Sequence, residues 1–341
     1  MAVLLPNWGS GPDALSQPIA SVPAMKAIEV SGLVRRFGEF TAVGGVSLAV
    51  DKGEIYGFLG PNGAGKSTTV RMLCTLLAIT EGRASVAGYD VASQADQVRL
   101  RIGVALQESA IDEKQTGREV IELSARLYGL RGSVLQRRVA EVIDFVDIGD
   151  AMDRFVKEYS GGMKRRLDLA ASLVHDPQVL FLDEPTTGLD PVSRARVWQE
   201  VERLRNELGM TVFLTTQYLE EADALADRVG IIDGGVLVAE GTPGALKRSV
   251  GNDLVTVHVG DRGELASSTA SAVRGVESVR LDGETLTVTT ADGSSLVGPL
   301  VVALNGAQVE VGTLSVRTPT LDDVFLAKTG HHLEPGEEPA R

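Results

Sequence analysis

The fold is decided by the stretch GPNGAGKST, Gly60 to Thr68, which fits the pattern GxxxxGK[ST]. An apolar run, EIYGFL, precedes it and the run STTVRMLCTLL follows, so the loop is predicted to join a strand to a helix. Glycines let backbone N–H groups turn towards phosphate oxygens, and the helix N-terminus adds partial positive charge. The stretch therefore predicts a nucleoside triphosphate site. Its binding residues are predicted to be Gly60, Pro61, Asn62, Gly63, Ala64, Gly65, Lys66, Ser67 and Thr68.

Two side chains of this loop have separate chemical tasks. Lys66 can reach the β and γ phosphates, and the Ser67 hydroxyl can bind Mg²⁺. A nucleoside triphosphate and Mg²⁺ are therefore the expected substrate and cofactor.

A second apolar run, VLFLDEP from Val179 to Pro185, ends in two carboxylates. A strand of this kind is typical of a parallel sheet buried on both faces, and it places Asp183 at the sheet edge where the phosphate loop also lies. Asp183 can hold the metal ion directly or through water. Glu184 can then orient or deprotonate the attacking water, because a second carboxylate beside the metal is not used up in coordination.

Composition limits the remaining functions. The 341 residues carry a formal net charge of −13, which argues against a general nucleic-acid binder. The single cysteine, Cys74, excludes an intramolecular disulfide and lies in an apolar run, as a core residue would. No stretch approaches the ~18 to 20 consecutive apolar residues that a membrane span needs, so we expect the chain itself to be soluble.

The character of the sequence changes along the chain. Residues 1–24 are rich in Pro, Gly and Ser and are predicted to form a disordered leader. Residues 25–245 are predicted to form an α/β domain with a helical subdomain at about 108–170, where Thr116 and Glu119 predict a capping box.

A smaller unit is predicted to follow. Residues 246–330 read as βαββαβ, which predicts a C-terminal α+β accessory domain of ferredoxin-like type. Residues 331–341 are predicted to be a flexible tail, in which His331 and His332 are solvated and do not bind a metal.

The segment YSGGMKRR, Tyr159 to Arg166, opens a predicted helix shortly before VLFLDEP. With it, the chain resembles the ATP-binding cassette (ABC) ATPases, whose signature is LSGGQ. Tyr159 and Met163 replace the end residues of that signature. The resemblance covers about residues 26–245 and implies a P-loop NTPase fold, namely an ABC cassette with a mixed sheet core and a helical subdomain.

The resemblance also implies a sandwich dimer of two copies with two composite sites. Three residues are implied to bind the γ-phosphate of an ATP held by the other copy: Ser160, Gly161 and Gly162. Phe37 matches the aromatic residue that stacks on adenine. Gln107 matches the glutamine that contacts Mg²⁺ and the attacking water, and Asp190 matches a dimer contact.

One position departs from the family pattern. In most ABC ATPases the strand after LDEP ends in a histidine that contacts the γ-phosphate, whereas the matching residue here is Gln217. An amide can donate a hydrogen bond to phosphate but cannot become a cation near neutral pH. We therefore expect Gln217 to sense the phosphate during catalysis and Glu184 to be the principal base.

Further runs, LDEPTTGLDP, TTQYLEEAD and PTLDDVFL, are similar to the daunorubicin-resistance (DrrA-like) ATPases of bacterial exporters. That resemblance implies an ATPase that energises a separate ABC-2 type permease at the cytoplasmic face of the membrane. The coupling helices of the permease are implied to contact the Gln107 region and the helical subdomain. Drugs, antibiotics or related hydrophobic metabolites are the expected cargo. The alternatives are a lipid or polysaccharide exporter, an importer, or a soluble ABC ATPase acting on ribosomes or DNA; no nucleic-acid partner is expected.

The run PTLDDVFL, Pro319 to Leu326, allows two interpretations. It docks the accessory domain onto the cassette or its partner, or it is an amphipathic helix that covers the small domain.

Overall fold

The computed structural model describes residues 26–107, 111–146 and 148–333. The predicted leader, 1–24, and most of the predicted tail, 334–341, lie outside the described residues.

The strands are numbered in chain order. They are β1 Lys26–Phe37, β2 Phe40–Asp51, β3 Ile55–Leu59, β4 Glu81–Val86, β5 Tyr89–Asp90, β6 Ile102–Ala105, β7 Val179–Asp183, β8 Thr211–Thr216, β9 Arg228–Asp233, β10 Val236–Gly241, β11 Asp253–His258, β12 Val276–Asp282, β13 Thr285–Thr290 and β14 Leu314–Arg317.

The helices are numbered in the same way. They are α1 Lys66–Leu73, α2 Ala95–Arg99, α3 Gly117–Leu127, α4 Gly132–Val146, α5 Gly161–Leu173, α6 Pro191–Leu208, α7 Leu219–Leu225, α8 Pro243–Arg248, α9 Gly263–Ser271, α10 Gly293–Gly306 and α11 Leu321–Thr329.

A six-stranded sheet forms the centre of the cassette, in the order β10-β9-β3-β8-β7-β6. Its strands are parallel except for β10, which pairs with β9 in the antiparallel direction. Every residue of β3, β7 and β8 is buried, as their continuous apolar runs predict. A four-stranded antiparallel sheet, β2-β1-β4-β5, completes the mixed α/β architecture that the sequence predicts. The parallel strands bring the phosphate loop, the two carboxylates and Gln217 to one sheet edge.

The first helix is shorter than its sequence pattern predicts. The apolar pattern extends to Leu77, but α1 ends at Leu73. Thr75 has a φ of +61°, a left-handed conformation in which the helix cannot continue. The neighbouring Cys74 is buried in the core, as predicted.

Helices α3, α4 and α5 form the helical subdomain and share a core of their own. The predicted capping box begins α3: the Thr116 hydroxyl accepts the Glu119 N–H, and the Glu119 carboxylate accepts the Thr116 N–H. Ser160 caps α5 by accepting the Met163 N–H.

The C-terminal unit has the element order β11-α9-β12-β13-α10-β14, which is the βαββαβ pattern read from the sequence. Its sheet has the order β12-β13-β11-β14 with every neighbouring pair antiparallel, the arrangement of a ferredoxin-like sheet. Helices α9 and α10 contribute buried residues to its separate hydrophobic core.

The last helix, α11, packs on the cassette. Leu321, Val324 and Phe325 are buried in a cluster with Leu59 of β3 and Ile231 of β9. Of the two interpretations of PTLDDVFL, the structure therefore shows docking onto the cassette of the same chain.

The chain beyond α11 differs from the predicted tail. His331 and His332 are more than half exposed, as expected, and they join no group of metal-binding side chains in the described part of the chain. Leu333, however, is buried in the cluster that receives α11, because it is apolar. The prediction of a flexible tail from residue 331 is therefore wrong for residues 331–333.

Candidate active site

The phosphate loop runs from the end of β3 to the start of α1. Gly63 and Gly65 have φ values of +80° and +102°, which favour glycine. A Cβ at Gly60 would lie 2.2 Å from the Ile232 carbonyl oxygen, so this position has no space for a side chain. Lys66 is buried, and its ammonium donates to the Gly60 carbonyl at 2.7 Å. The loop is thus a glycine-lined backbone cradle with one buried cation, which suits phosphate.

Asp183 ends β7 beside the start of α1. Its Oδ1 accepts hydrogen bonds from the Ser67 hydroxyl at 3.1 Å and the Thr215 hydroxyl at 2.6 Å. Asp183 is 1% exposed. A buried carboxylate next to a serine hydroxyl offers the oxygen ligands that Mg²⁺ prefers, so these residues fit the predicted cofactor.

Glu184 follows in an unusual backbone conformation. Its φ is +48°, which is costly for a residue with a side chain. Its Oε1 lies 3.1 Å from the Lys66 ammonium. Its Oε2 accepts from the Gln107 amide at 3.4 Å and from the Thr187 hydroxyl at 3.2 Å. Two of the three predicted catalytic residues, Glu184 and Gln107, are therefore in contact.

Gln217 comes directly after β8 and is buried. The carbonyl of its neighbour Thr216 accepts the Gly60 N–H at 3.2 Å. The predicted phosphate sensor therefore sits beside the first residue of the phosphate loop.

The signature residues lie against a different segment. A Cβ at Gly161 would be 3.6 Å from the Leu189 side chain, and one at Gly162 would be 2.8 Å from the Ser193 hydroxyl. Asp190 caps α6 by accepting the backbone N–H and the hydroxyl of Ser193. The signature and the predicted dimer contact are thus neighbours on one surface.

Phe37 ends β1 and is 47% exposed. The guanidinium carbon of Arg35 lies 4.4 Å from the centre of its ring, a cation–π contact that fixes the ring. An exposed, fixed aromatic ring suits the predicted stacking on adenine.

Two polar residues behind the site were given no role from the sequence: Arg165, which is largely buried, and Glu221, which is fully buried. Arg165 of α5 donates to main-chain carbonyls on both sides of Glu184. Glu221 of α7 accepts from the Thr186 hydroxyl at 2.8 Å and from the Trp198 indole at 2.9 Å, and burial raises the pKa of its carboxyl. The spacing of sequence motifs predicts no role for either residue, because their hydrogen-bond partners are distant in sequence.

Comparison with known proteins identifies the family of the chain. Residues 43–187 match the family model ABC transporter, and residues 241–329 match the model ATP-binding protein DrrA1-3-like, C-terminal domain. The daunorubicin resistance ATP-binding protein DrrA3 of Streptomyces coeruleorubidus is 46% identical over 304 residues, which are 89% of this chain and 96% of that protein.

Two further relatives extend the comparison. The daunorubicin/doxorubicin resistance ATP-binding protein DrrA of Streptomyces peucetius is 47% identical over 90% of this chain and 93% of its own length. The Nod factor export ATP-binding protein I of Rhizobium sp. (strain N33) is 39% identical over 90% of this chain and 98% of its own length.

Among solved structures, cbiO1 from Clostridium perfringens, part of the ABC transporter complex cbiONQ, matches with a TM-score of 0.61 and 25% identity. The match covers 65% of this chain and 90% of that one. The ADP conformation of MJ1267, an ATP-binding cassette of an ABC transporter, matches with a TM-score of 0.59 and 24% identity over 64% and 91% of the two chains. The chain therefore belongs to the ABC transporter family, as an ATPase of the DrrA-like ATP-binding proteins.

Proposed function

We propose that this chain binds and hydrolyses ATP with Mg²⁺ in order to drive export through a separate membrane permease. The observation that carries the proposal is the meeting of Lys66, Ser67, Asp183, Glu184 and Gln107 at one sheet edge. These residues supply a phosphate cradle, metal ligands and a candidate base.

The metal site would use oxygen atoms of Ser67, Asp183 and Gln107. Bound there, Mg²⁺ would neutralise charge that develops on the β- and γ-phosphate oxygens. Asp183 suits the role because its Oδ1 is already oriented by the Ser67 and Thr215 hydroxyls.

Glu184 would accept a proton from the attacking water. The hydrogen bonds from Gln107 and Thr187 to Oε2 hold its carboxylate in one orientation, which a general base requires. Gln217, at the end of the neighbouring strand, would donate a hydrogen bond to the γ-phosphate without taking part in proton transfer.

Two copies would form the sandwich dimer. In one chain the glycines of the signature lie against Leu189 and Ser193, on the surface that carries Asp190. The support for a dimer is that Ser160 and Gly161 are exposed, where they would meet an ATP held by a second copy. Phe37, Lys66 and the rest of the phosphate loop would hold that nucleotide from the other side.

The permease would dock in an apolar groove next to Gln107. A cavity of about 340 Å³ is lined by Leu76, Leu106 and Tyr128, among others. Leu76 is 58% exposed and Tyr128 is 40% exposed, so the groove presents apolar surface that a partner could cover. Among the described residues no helix has the length and apolar character of a membrane span. We propose an ABC-2 type permease as the partner and the cytoplasmic face of the membrane as the location.

The cargo is proposed from the relatives. Two proteins that are 46% and 47% identical are named for daunorubicin or doxorubicin resistance, which favours a hydrophobic drug, antibiotic or similar metabolite. The relative named for Nod factor export keeps lipid or polysaccharide export as the second candidate.

We also propose that the chain divides near residue 245. The cassette would comprise residues 25–245, with its helical subdomain at about 108–170, and the accessory domain residues 246–330. The separate core of the C-terminal unit and the match that begins at residue 241 support this division.

The test is an ATPase assay on the purified chain, with and without Mg²⁺ and with and without a candidate ABC-2 type permease. Hydrolysis that needs Mg²⁺, and a dimer that forms with ATP in the Glu184→Gln variant, are the expected results. Absence of both would contradict the proposal. Transport into vesicles, measured with a panel of drugs, lipids and polysaccharides, then separates the two cargo classes.

A further inference from the structure

We propose that Arg165 is a positioning residue for ATP hydrolysis: its guanidinium holds the main chain on both sides of Glu184 and just before Gln107. The inference rests on the proposed role of Glu184 as the base. It adds a physical link between the signature helix and that base.

The contacts are specific. The Arg165 Nε donates to the Pro185 carbonyl at 2.9 Å, and Nη2 donates to the Asp183 carbonyl at 3.2 Å. Nη1 donates to the Leu106 carbonyl at 2.6 Å. One planar group therefore binds the residue before Glu184, the residue after it and the residue before Gln107.

Glu184 needs such support. Its φ of +48° places a residue with a side chain in the left-handed region, which is costly and persists only where the surroundings enforce it. Two of the Arg165 hydrogen bonds fix the flanking carbonyls and thereby the direction in which the Glu184 side chain leaves the main chain. A flexible lysine ammonium lacks the planar fork that binds several acceptors at fixed angles.

The cation itself is nearly buried. The Arg165 side chain is 11% exposed, and its Nη1 lies 3.4 Å from Oδ2 of Asp168. Burying a cation costs free energy unless hydrogen bonds and charge offset the cost. Three main-chain carbonyls supply that compensation here, so the arginine is held by the strand ends that it organises.

Because Arg165 belongs to α5, its hydrogen bonds connect the signature to the main chain beside Glu184. Helix α5 begins with Gly161 and Gly162 of the signature, and its Leu167 is fully buried in the core of the helical subdomain. A movement of α5 as the signature meets the ATP of the second copy would move the Arg165 guanidinium. The carbonyls beside Glu184 would move with it, so closure of the dimer and alignment of the base would be coupled.

Arg165→Ala and Arg165→Lys test the proposal in the full-length chain. Arg138→Ala is the matched control, because its guanidinium also donates to main-chain carbonyls, those of Leu173 and Val174 at the opposite end of α5. Measured quantities are kcat and KM for ATP, the affinity for a fluorescent ATP analogue without hydrolysis, and the melting temperature.

We expect both Arg165 variants to lower kcat by about tenfold or more, since a small displacement of a catalytic group has effects of this size. Affinity for the ATP analogue should stay within about twofold of the wild type, because the phosphate loop is untouched. Arg138→Ala should lower the melting temperature with kcat retained. Arg165→Lys keeps a cation and a long side chain, so it tests the role even where Arg165→Ala folds poorly.

A second comparison separates the two proposals. In a Glu184→Gln background, Arg165→Lys should lower kcat by a smaller factor than in the wild type, because the part of its role that acts through Glu184 has nothing left to position. If Glu184→Gln alone hydrolyses ATP at the normal rate, the role proposed for Glu184 is wrong. If Glu184→Gln is inactive but both Arg165 variants keep a normal kcat, or only lower the melting temperature as Arg138→Ala should, the role proposed for Arg165 is wrong.

Discussion

Lys66 and Glu184 form a buried ion pair, with Nζ 3.1 Å from Oε1 and with side chains that are 3% and 4% exposed. Lys66 is also the residue expected to bind the phosphates of ATP. Substrate and carboxylate therefore compete for one ammonium group. ATP that enters the loop would separate the pair and leave the Glu184 carboxylate free to act on water.

Glu184→Gln should separate ATP binding from ATP hydrolysis. The amide carries no charge, so the phosphates no longer compete with a carboxylate for Lys66, and affinity for ATP should increase. Hydrolysis should fall by roughly 10² to 10⁴, the contribution of a general base. Equilibrium binding of ATP and steady-state kcat measure the two effects.

Glu113→Gln is the control for Glu184→Gln, because Glu113 pairs with Lys164 at an exposed position. It should change neither quantity. Weaker ATP binding by Glu184→Gln would show that the Lys66–Glu184 pair does not compete with substrate.

Gln217 should affect the rate of ATP hydrolysis without adding an ionisation on which that rate depends. Loss of one hydrogen bond to a charged group costs about 1.5 to 3 kcal/mol, so Gln217→Ala should lower kcat by about 10- to 100-fold. The rate of the wild type should show no step near the ordinary histidine pKa of about 6.5, whereas Gln217→His should acquire one. Profiles of kcat against pH check both statements. Unchanged hydrolysis in Gln217→Ala would contradict the proposed contact with the γ-phosphate.

Much of the site could be predicted because its residues directly follow strongly apolar strands. Gly60 and Gln217 directly follow strands of five and six buried residues, Asp183 is the last of the five buried residues of β7, and parallel strands bring such ends together. The local sequence therefore contained most of the information about where these side chains meet.

The contacts that escaped prediction depend on long-range packing. The Arg165 guanidinium binds carbonyls 18 and 59 residues away, at Asp183 and Leu106, and main-chain carbonyls leave no trace in side-chain patterns. The docking of α11 was ambiguous for a related reason. An amphipathic helix such as Leu321–Thr329 shows which face is apolar, but both the accessory domain and the cassette offered a core to receive it.

Phe325→Ala should destabilise the protein by about 3 to 5 kcal/mol, the usual cost of removing a fully buried phenyl ring. The ring packs in the cluster that contains Leu59, the residue directly before the phosphate loop. Removing the ring therefore weakens the packing of α11 on the cassette. The change in melting temperature, measured by calorimetry, reports this destabilisation.

Val302→Ala is the matched control for Phe325→Ala, since Val302 lies on α10 of the same C-terminal unit and is 72% exposed. Its effect should stay within about 0.5 kcal/mol. Equal destabilisation by the two substitutions would mean that α11 does not dock on the cassette in solution.

Asp168 should make stability fall as pH rises through weakly acidic values. Burial raises the pKa of its carboxyl from the ordinary 3.8 to about 6, although Arg165 opposes the shift. The folded chain therefore binds more protons than the unfolded chain between these values, and stability decreases until the carboxyl is fully ionised. Asp168→Asn removes this ionisation, so near pH 7 it should be more stable relative to the wild type than it is near pH 4, by up to about 3 kcal/mol. Melting temperatures of both proteins across that pH range measure the difference.

Asp153→Asn is the control and should show the opposite trend, because the Arg118 guanidinium lowers the pKa of Asp153. If the difference in stability between Asp168→Asn and the wild type stays constant with pH, Asp168 keeps an ordinary pKa.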